Sequence, residues 1–305
     1  MIVTFRWLFL FVAFILSGCM LQTSDQLQTQ SLNSSSISIH DGHIEYYRFG
    51  KGSPIILIPG YVTDVSSWDR KFLIALAQHH ELIVLNNRNV GRSYVKSTHY
   101  TSKDLANDVS QLIHKLKLKK PTVLGISMGG MIAQQLAVLH PEQVGHLILI
   151  NTMMPGKKAI LPSENIKMKM QVMPKNLLDR YISAIELFFP PSSQVSMAYV
   201  LVVERFQPNN YKETNPEVIV PQQQEVIRDW VDDDATANKI KKLTIKTLVL
   251  SGKADIVIPP INSIILARTI SHAKFSSWQN GGHGMIFQYP HEIAQRINQF
   301  LFEQN

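Results

Sequence analysis

A single cysteine, Cys19, stands in this chain of 305 residues. No internal disulfide can form, so the fold rests on burial and hydrogen bonding alone. Long hydrophobic runs are absent too. The longest, Trp7–Leu16, holds about ten apolar residues, where a bilayer span needs roughly 20. Only 17% of residues are charged and 45% are hydrophobic, which excludes a disordered chain. No internal repeat occurs, which excludes a solenoid. The formal net charge is +7. Its basic residues are scattered, with small clusters at 115–120 and 239–242, and no basic helix is interleaved with aromatics. Nucleic-acid binding is therefore not expected, and the charge reads as a solvated basic surface.

What is present begins at the N-terminus. Arg6, the run WLFLFVAFIL and the small pair Ser17–Gly18 precede Cys19. A positive residue, a short apolar core and a small-residue end are the parts of a secretory signal. Leu16-Ser17-Gly18-Cys19 resembles the lipobox of bacterial lipoproteins. The resemblance implies cleavage before Cys19 and acylation of that residue, hence a membrane partner through a lipid anchor at Cys19. Several acyl chains on one residue hold a protein firmly, since each buried CH₂ contributes about 0.8 kcal/mol. Met20 replaces the aspartate that, in proteins of this pattern, favours inner-membrane retention. The expected location is the bacterial cell envelope, at the outer membrane.

Residues 21–36 are Ser/Gln-rich and aperiodic, a tether. Asp41-Gly42 between two β-like segments predicts a hairpin. Pro54–Ile58 is wholly apolar, as a strand buried on both faces is. Strands and helices then alternate. Helices are expected over Ser67–Leu76, Ser102–Leu116, Met128–His140, Ile261–Ile270 and Ile293–Phe302. Strands are expected at Leu82–Leu85, Thr122–Leu124, Val144–Ile150, Lys246–Leu250 and Ala273–Ser277. That order predicts an α/β fold with a mostly parallel, doubly wound sheet. Residues 154–238, rich in Met, Pro and Gln and more helical, interrupt it as an insertion.

Gly125-Ile126-Ser127-Met128-Gly129-Gly130 lies where a strand turns into a helix. A serine on so sharp a turn projects its hydroxyl from the sheet. Residues two before and two after it meet across the turn, where only very small side chains fit. This is the G-x-S-x-G nucleophile elbow, with Gly125, Gly129 and Gly130 as its small residues. A serine hydroxyl needs a base, and the base needs a carboxylate to orient it. Among eleven histidines, His79 and His80 read as a helix end, His140 precedes Pro141, and His272 lies in a polar turn. His283 differs, with glycines at 281, 282 and 284 holding it on a tight loop after the last strand. Asp255 follows the strand at 246–250, at the edge where open α/β sheets bind ligands. Asp232, Asp233 and Asp234 compete for that role but read as a solvated turn.

The order Ser127, Asp255, His283 is that of the α/β-hydrolases. From Ile37 onward, apart from the insertion, the chain resembles that family of esterases, lipases and lactonases. Ile56–Tyr61 stands where the family has a strand ending in His-Gly-x, with Pro59 at the histidine position. By that match the backbone N–H groups of Tyr61 and Met128 form the oxyanion hole. Asn86–Ser93 resembles the family's Asp-x-Arg-Gly-x-Gly-x-Ser turn, with Asn86 for Asp and Asn89 for Gly; Asn tolerates positive φ. Trp68-Asp69 also fits the pattern near the oxyanion loop.

The resemblance implies a serine esterase or lipase-like enzyme, working through an acyl-enzyme without metal or cofactor. The expected organisation is a signal at 1–18, a tether at 19–36, a core at 37–153 and 239–305, and a cap at 154–238. The cap's methionines (153, 154, 168, 170, 173 and 197) either line an acyl pocket or form the cap's own core. The expected partner is a small-molecule acyl ester with an apolar acyl group. Amidase, peptidase, thioesterase and lactonase chemistry use the same triad and stay open. So do a lyase or perhydrolase and a lipoprotein that binds ligand without turnover.

Overall fold

The structure is a computed structural model that describes residues 32–303 except 172, 173, 175, 210, 213 and 215. Cys19, the signal and most of the tether lie outside the described residues. No helix among the described residues is long and apolar enough to cross a membrane.

Strand β1 (Ser35–Ile39) and β2 (Gly42–Gly50) form the hairpin expected around Asp41-Gly42. Next come β3 (Ser53–Ile58), α1 (Arg70–Ala77), β4 (His80–Leu85), β5 (Tyr94–Val95) and α2 (Ser102–Lys115). They are followed by β6 (Thr122–Ile126), α3 (Met128–Leu139) and β7 (His146–Ile150). The insertion supplies α4 (Glu164–Gln171), α5 (Leu177–Phe188), α6 (Gln194–Val203), α7 (Pro216–Asp232) and α8 (Asp234–Ile240). The chain closes with β8 (Thr247–Gly252), α9 (Ile261–Thr269), β9 (Lys274–Trp278), α10 (Met285–Gln288) and α11 (Pro290–Phe302).

Eight strands run in the order β1-β2-β4-β3-β6-β7-β8-β9, with β5 paired to β2. All pairs from β4 to β9 are parallel; β1 and β5 meet β2, and β2 meets β4, antiparallel. The expected mostly parallel α/β sheet is therefore present. Side chains alternate across it. Ile56, Ile58, Val123, Leu147, Leu149 and Val249 pack into one apolar layer with α2 and α3. Ile55, Leu57, Leu124, Ile148, Leu248 and Leu250 pack into the other with α1 and α11. Each such side chain stabilises the fold by about 1.5–3 kcal/mol. After β3 the chain builds β4 on one side, then crosses to β6 on the other. The crevice between the carboxyl ends of β3 and β6 is thus the switch point where open α/β sheets hold ligands.

Two boundaries differ from the sequence reading for local reasons. Ser67 lies in a short 3₁₀ turn, because Asp69 caps α1 by accepting the Phe72 N–H at 2.7 Å. His80 begins β4 rather than ending a helix, and its Nε2 meets Asn298 Oδ1 at 3.0 Å. The Asp232–Asp234 run is a helix junction in which Asp233 caps α8. Asn86 has a reason not to be Asp. Its Nδ2 donates to the buried Glu45 carboxylate at 2.7 Å, while its Oδ1 accepts the Val65 N–H at 2.8 Å. An aspartate there would oppose Glu45 with a like charge. Asn89 has φ 59°, the conformation asparagine tolerates.

Asp69 is wholly buried, and its Oδ2 has no hydrogen-bond partner. Burial, with the Glu204 charge adding, pushes its pKa up to about 7 against the donated Phe72 N–H. The native state then binds a proton the unfolded chain releases near pH 4. Stability from this group is present below that pH and is lost as pH rises toward 7, at a slope of up to roughly 1.4 kcal/mol per pH unit. Asp69→Asn keeps the capping acceptor and removes the titration. Its thermal midpoint relative to the parent chain is expected to climb between about pH 4 and pH 7 and to level off above that; a pH-independent difference would contradict the assignment.

Candidate active site

Ser127 sits between β6 and α3 with φ 56° and ψ −123°. Left-handed φ at a non-glycine residue costs of order 1–3 kcal/mol and persists only where the surroundings enforce it. Those surroundings are glycine contacts. A Cβ on Gly125 would come within 2.2 Å of the Gly129 carbonyl oxygen, so the predicted meeting across the turn is real geometry. A Cβ on Gly129 would strike the Ile58 carbonyl oxygen at 2.1 Å, and one on Gly130 the Thr152 Cβ at 2.6 Å. Thr152 Oγ1 also donates to the Ser127 carbonyl at 2.7 Å.

Asp255 and His283 come from the loops after β8 and β9 and meet beside this turn. His283 Nδ1 lies 2.8 Å from Asp255 Oδ2, and both side chains are nearly buried. Asp255 Oδ1 accepts the Val257 and Ile258 N–H groups at 2.8 and 2.9 Å. Three groups thus hold the carboxylate, two backbone N–H groups of its own loop on one oxygen and the imidazole of the other loop on the second. His283 and Ser127 line the same cavity, of about 380 Å³, and among the described residues they share no direct hydrogen bond. Catalytic hydrogen bonds of this kind are commonly loose before substrate arrives.

Gly60 faces the serine, since a Cβ there would lie 3.3 Å from Ser127 Cβ and 3.7 Å from its Oγ. The N–H groups of Tyr61 and Met128, the residues that follow Gly60 and Ser127, find no protein acceptor among the described residues. Met128 opens α3, where backbone N–H groups lack intrahelical partners. The next residue, Val62, has φ 53°, unusual for a β-branched side chain. Gln223, buried on α7, holds it there by accepting the Val62 N–H at 2.6 Å.

The sequence reading missed Gln223, Thr152 and Asn151. Asn151 is buried at the end of β7 with φ 45°. Its Oδ1 accepts the Gly252 N–H at 2.8 Å, and its Nδ2 donates to the Gly282 and His283 carbonyls at 3.0 Å each. One side chain thereby ties the loop carrying Asp255 to the loop carrying His283. Asn151→Ala is expected to lower kcat on the order of 10–100-fold with a smaller change in KM, because a misplaced imidazole slows chemistry more than binding. A raised KM with kcat unchanged would assign Asn151 to substrate binding instead.

The methionines divide between the two roles left open for them, and most are not in the cavity wall. Met170 lines it, but Met153 and Met154 are buried in the core beneath the sheet edge and Met168 points to solvent. Met197 packs against the core layer, and Met173 lies outside the described residues. Trp68, Ile126, Leu187, Phe188, Val257 and Ile286 carry the wall instead. Phe188 packs on His283 with ring centroids 5.7 Å apart, and its carbonyl accepts the Gly284 N–H at 2.9 Å.

The sequence profile of the family described as alpha/beta hydrolase fold matches residues 53–290, which include every element that builds this cavity. The chain belongs to that family. Among the relatives of this alpha/beta hydrolase chain is the 2-hydroxymuconate semialdehyde hydrolase of Pseudomonas sp. strain CF600. It is 25% identical over 258 residues, 83% of this chain and 88% of the relative. An alpha/beta hydrolase fold protein from Chitinophaga pinensis superposes with a TM-score of 0.77 at 22% identity, over 90% of this chain and 98% of its own. A thermophilic esterase from Thermogutta terrifontis does so with a TM-score of 0.71 at 23% identity, over 89% and 98%. At these identities the solved structures speak to the fold.

Proposed function

We propose that this protein is a serine hydrolase that cleaves an acyl ester with an apolar acyl group. The observation that carries the reading is the strained Ser127, set in one cavity with the His283–Asp255 pair. Ser127 Oγ attacks the acyl carbonyl while His283 Nε2 takes its proton. Asp255 fixes the imidazole with Nδ1 protonated and stabilises the imidazolium that forms. The N–H groups of Tyr61 and Met128 receive the oxyanion; each such donor is worth on the order of 10²–10³ in kcat. Collapse of the tetrahedral species expels the alcohol, protonated by His283. Water, deprotonated by the same histidine, then attacks the acyl-enzyme, and the acid leaves with Ser127 restored.

The apolar wall of Trp68, Leu187, Phe188 and Ile286 supports an acyl chain as the occupant. Hydrolysis of p-nitrophenyl esters from acetate to palmitate tests this. Turnover with a chain-length optimum is expected. Hydrolysis of amides or thioesters with none of any ester would replace the ester assignment.

Lipid attachment at Cys19 is part of the same proposal, supported by the Leu-Ser-Gly-Cys motif after the apolar run. It places the enzyme on the outer membrane of a bacterial envelope. Cys19→Ser is expected to shift the protein from the membrane fraction to the soluble fraction. An unchanged distribution would rule out the thioether anchor.

A further inference from the structure

Two cations line the cavity that holds Ser127 and His283, and neither has an anionic partner among the described residues. Arg180 on α5 and Arg205 just after α6 both line it, in a wall that contains no aspartate or glutamate. Arg180 Nε donates to the Pro174 carbonyl at 2.6 Å. Arg205 Nε donates to the Ser66 carbonyl at 3.2 Å, and its Nη2 donates to Ser66 Oγ. Neither forms an ion pair with any carboxylate among the described residues. The acids near them are engaged elsewhere. Glu204 is taken by Arg70 and Lys71 at 2.8 and 3.2 Å. Glu186 is paired with Lys169, the third cation of the lining, at 2.9 Å. Asp64 touches Arg205 only through the Ser66 hydroxyl, which donates to it at 2.6 Å, and Thr214 occupies its other oxygen at 3.0 Å.

Both guanidinium groups are half-buried against apolar wall. Partial removal of a charge from water is costly unless a counter-charge arrives. Each keeps outer N–H donors without a protein acceptor among the described residues, in the planar fork that matches a carboxylate or phosphate. Their anchors also hold them still. Ser66 seats Arg205 on the segment that follows the oxyanion loop, and the Pro174 carbonyl seats Arg180. Both line the one cavity, and Arg205 is close enough to the Tyr181 phenol, the residue after Arg180 on α5, to oppose the rise that burial gives its pKa.

We propose that the ligand of this cavity carries an oxyanionic group, a carboxylate or a phosphate, received by Arg180 and Arg205 at a distance from the reacting carbonyl. The α5 face sets that distance. Arg180, Ala184, Leu187 and Phe188 share the cavity-facing side, and Phe188 packs on His283. Arg180 therefore stands about 12 Å along the helix axis from the residue that touches the base. The apolar stretch between fits a chain that is neutral along its length and charged at its end. This inference rests on the serine-hydrolase reading for the orientation of that ligand; the charge preference itself does not depend on turnover.

The test is equilibrium binding to the full chain carrying Ser127→Ala, by titration calorimetry with octanoate, octyl phosphate and neutral octanamide. Tighter binding of at least one anion than of octanamide, by about tenfold or more, is expected. Adding Arg180→Gln or Arg205→Gln should collapse that ratio toward one, and the better anion identifies the head group. Equal affinity for all three probes, or a preference that survives both arginine substitutions, would overturn the proposal. Should either substitution prevent folding, the preference measured at about 20 and about 500 mM salt decides. Screening should shrink it several-fold, and a salt-independent preference would overturn the proposal. Loss of the charge preference leaves the hydrolase reading intact, and failure of Ser127 to react with an acylating probe leaves the charge preference intact.

Discussion

Ser127→Gly is expected to abolish turnover and to yield a more stable protein than Ser127→Ala. The two effects separate because they arise from different atoms. Loss of Oγ removes the nucleophile, and loss of a triad serine typically costs on the order of 10⁶ in kcat. Both variants share that loss. The backbone at 127 is held at φ 56° and ψ −123°, where an L side chain is strained and glycine is not. Alanine keeps the Cβ and the strain; glycine releases it, offset in part by the greater entropy of its unfolded chain. The net gain over Ser127→Ala should be about 1 kcal/mol, or ~2 °C in thermal midpoint for a chain of this size. Equal midpoints would mean that the elbow stores no strain. Retained esterase activity in either variant would remove Ser127 from the chemistry.

The second large effect is expected from Asp255→Asn, a nearly isosteric change. Asp255 Oδ1 accepts two backbone N–H groups, from Val257 and Ile258. The asparagine carbonyl oxygen must stay there, because an NH₂ would face two donors. Its NH₂ is then directed at His283 Nδ1, which lies 2.8 Å from Oδ2 in the parent. That nitrogen must accept, so the proton moves to Nε2, the atom that has to receive the proton of Ser127. The geometry survives with the wrong tautomer. A loss on the order of 10⁴ in kcat, with little change in KM or thermal midpoint, is expected from steady-state kinetics. A loss below about tenfold would show that Asp255 does not set the tautomer.

The residues of the site were legible in the chain to very different degrees. Ser127 could be read because its turn leaves a trace in composition, with small residues required at 125, 129 and 130. His283 could be read from the glycine-rich loop that carries it, and Asp255 from its place just after an apolar strand. The sheet could be read from the apolar runs within β3, β7 and β8, whose alternate side chains feed the two buried layers. Asn151 and Gln223 left no such trace. They act through side-chain hydrogen bonds to backbone far away, as Asn151 does on three residues of two loops and Gln223 on Val62 across 161 residues. No local period or turn pattern records such a contact. The methionines stayed ambiguous for a related reason. A flexible apolar residue reads the same in a core as in a pocket wall, and only packing separates Met154 from Met170. Arg180 and Arg205 look like ordinary surface charges until the fold turns them into a cavity without carboxylates.

The most direct test is covalent. A fluorophosphonate probe is incubated with the full chain, and the modified peptide is identified by mass spectrometry. A single adduct on Ser127 Oγ is predicted, absent from Ser127→Ala and strongly slowed in His283→Ala. No adduct, or an adduct on another serine with Ser127 unmodified, would contradict a nucleophile at the elbow and with it the hydrolase account of this cavity.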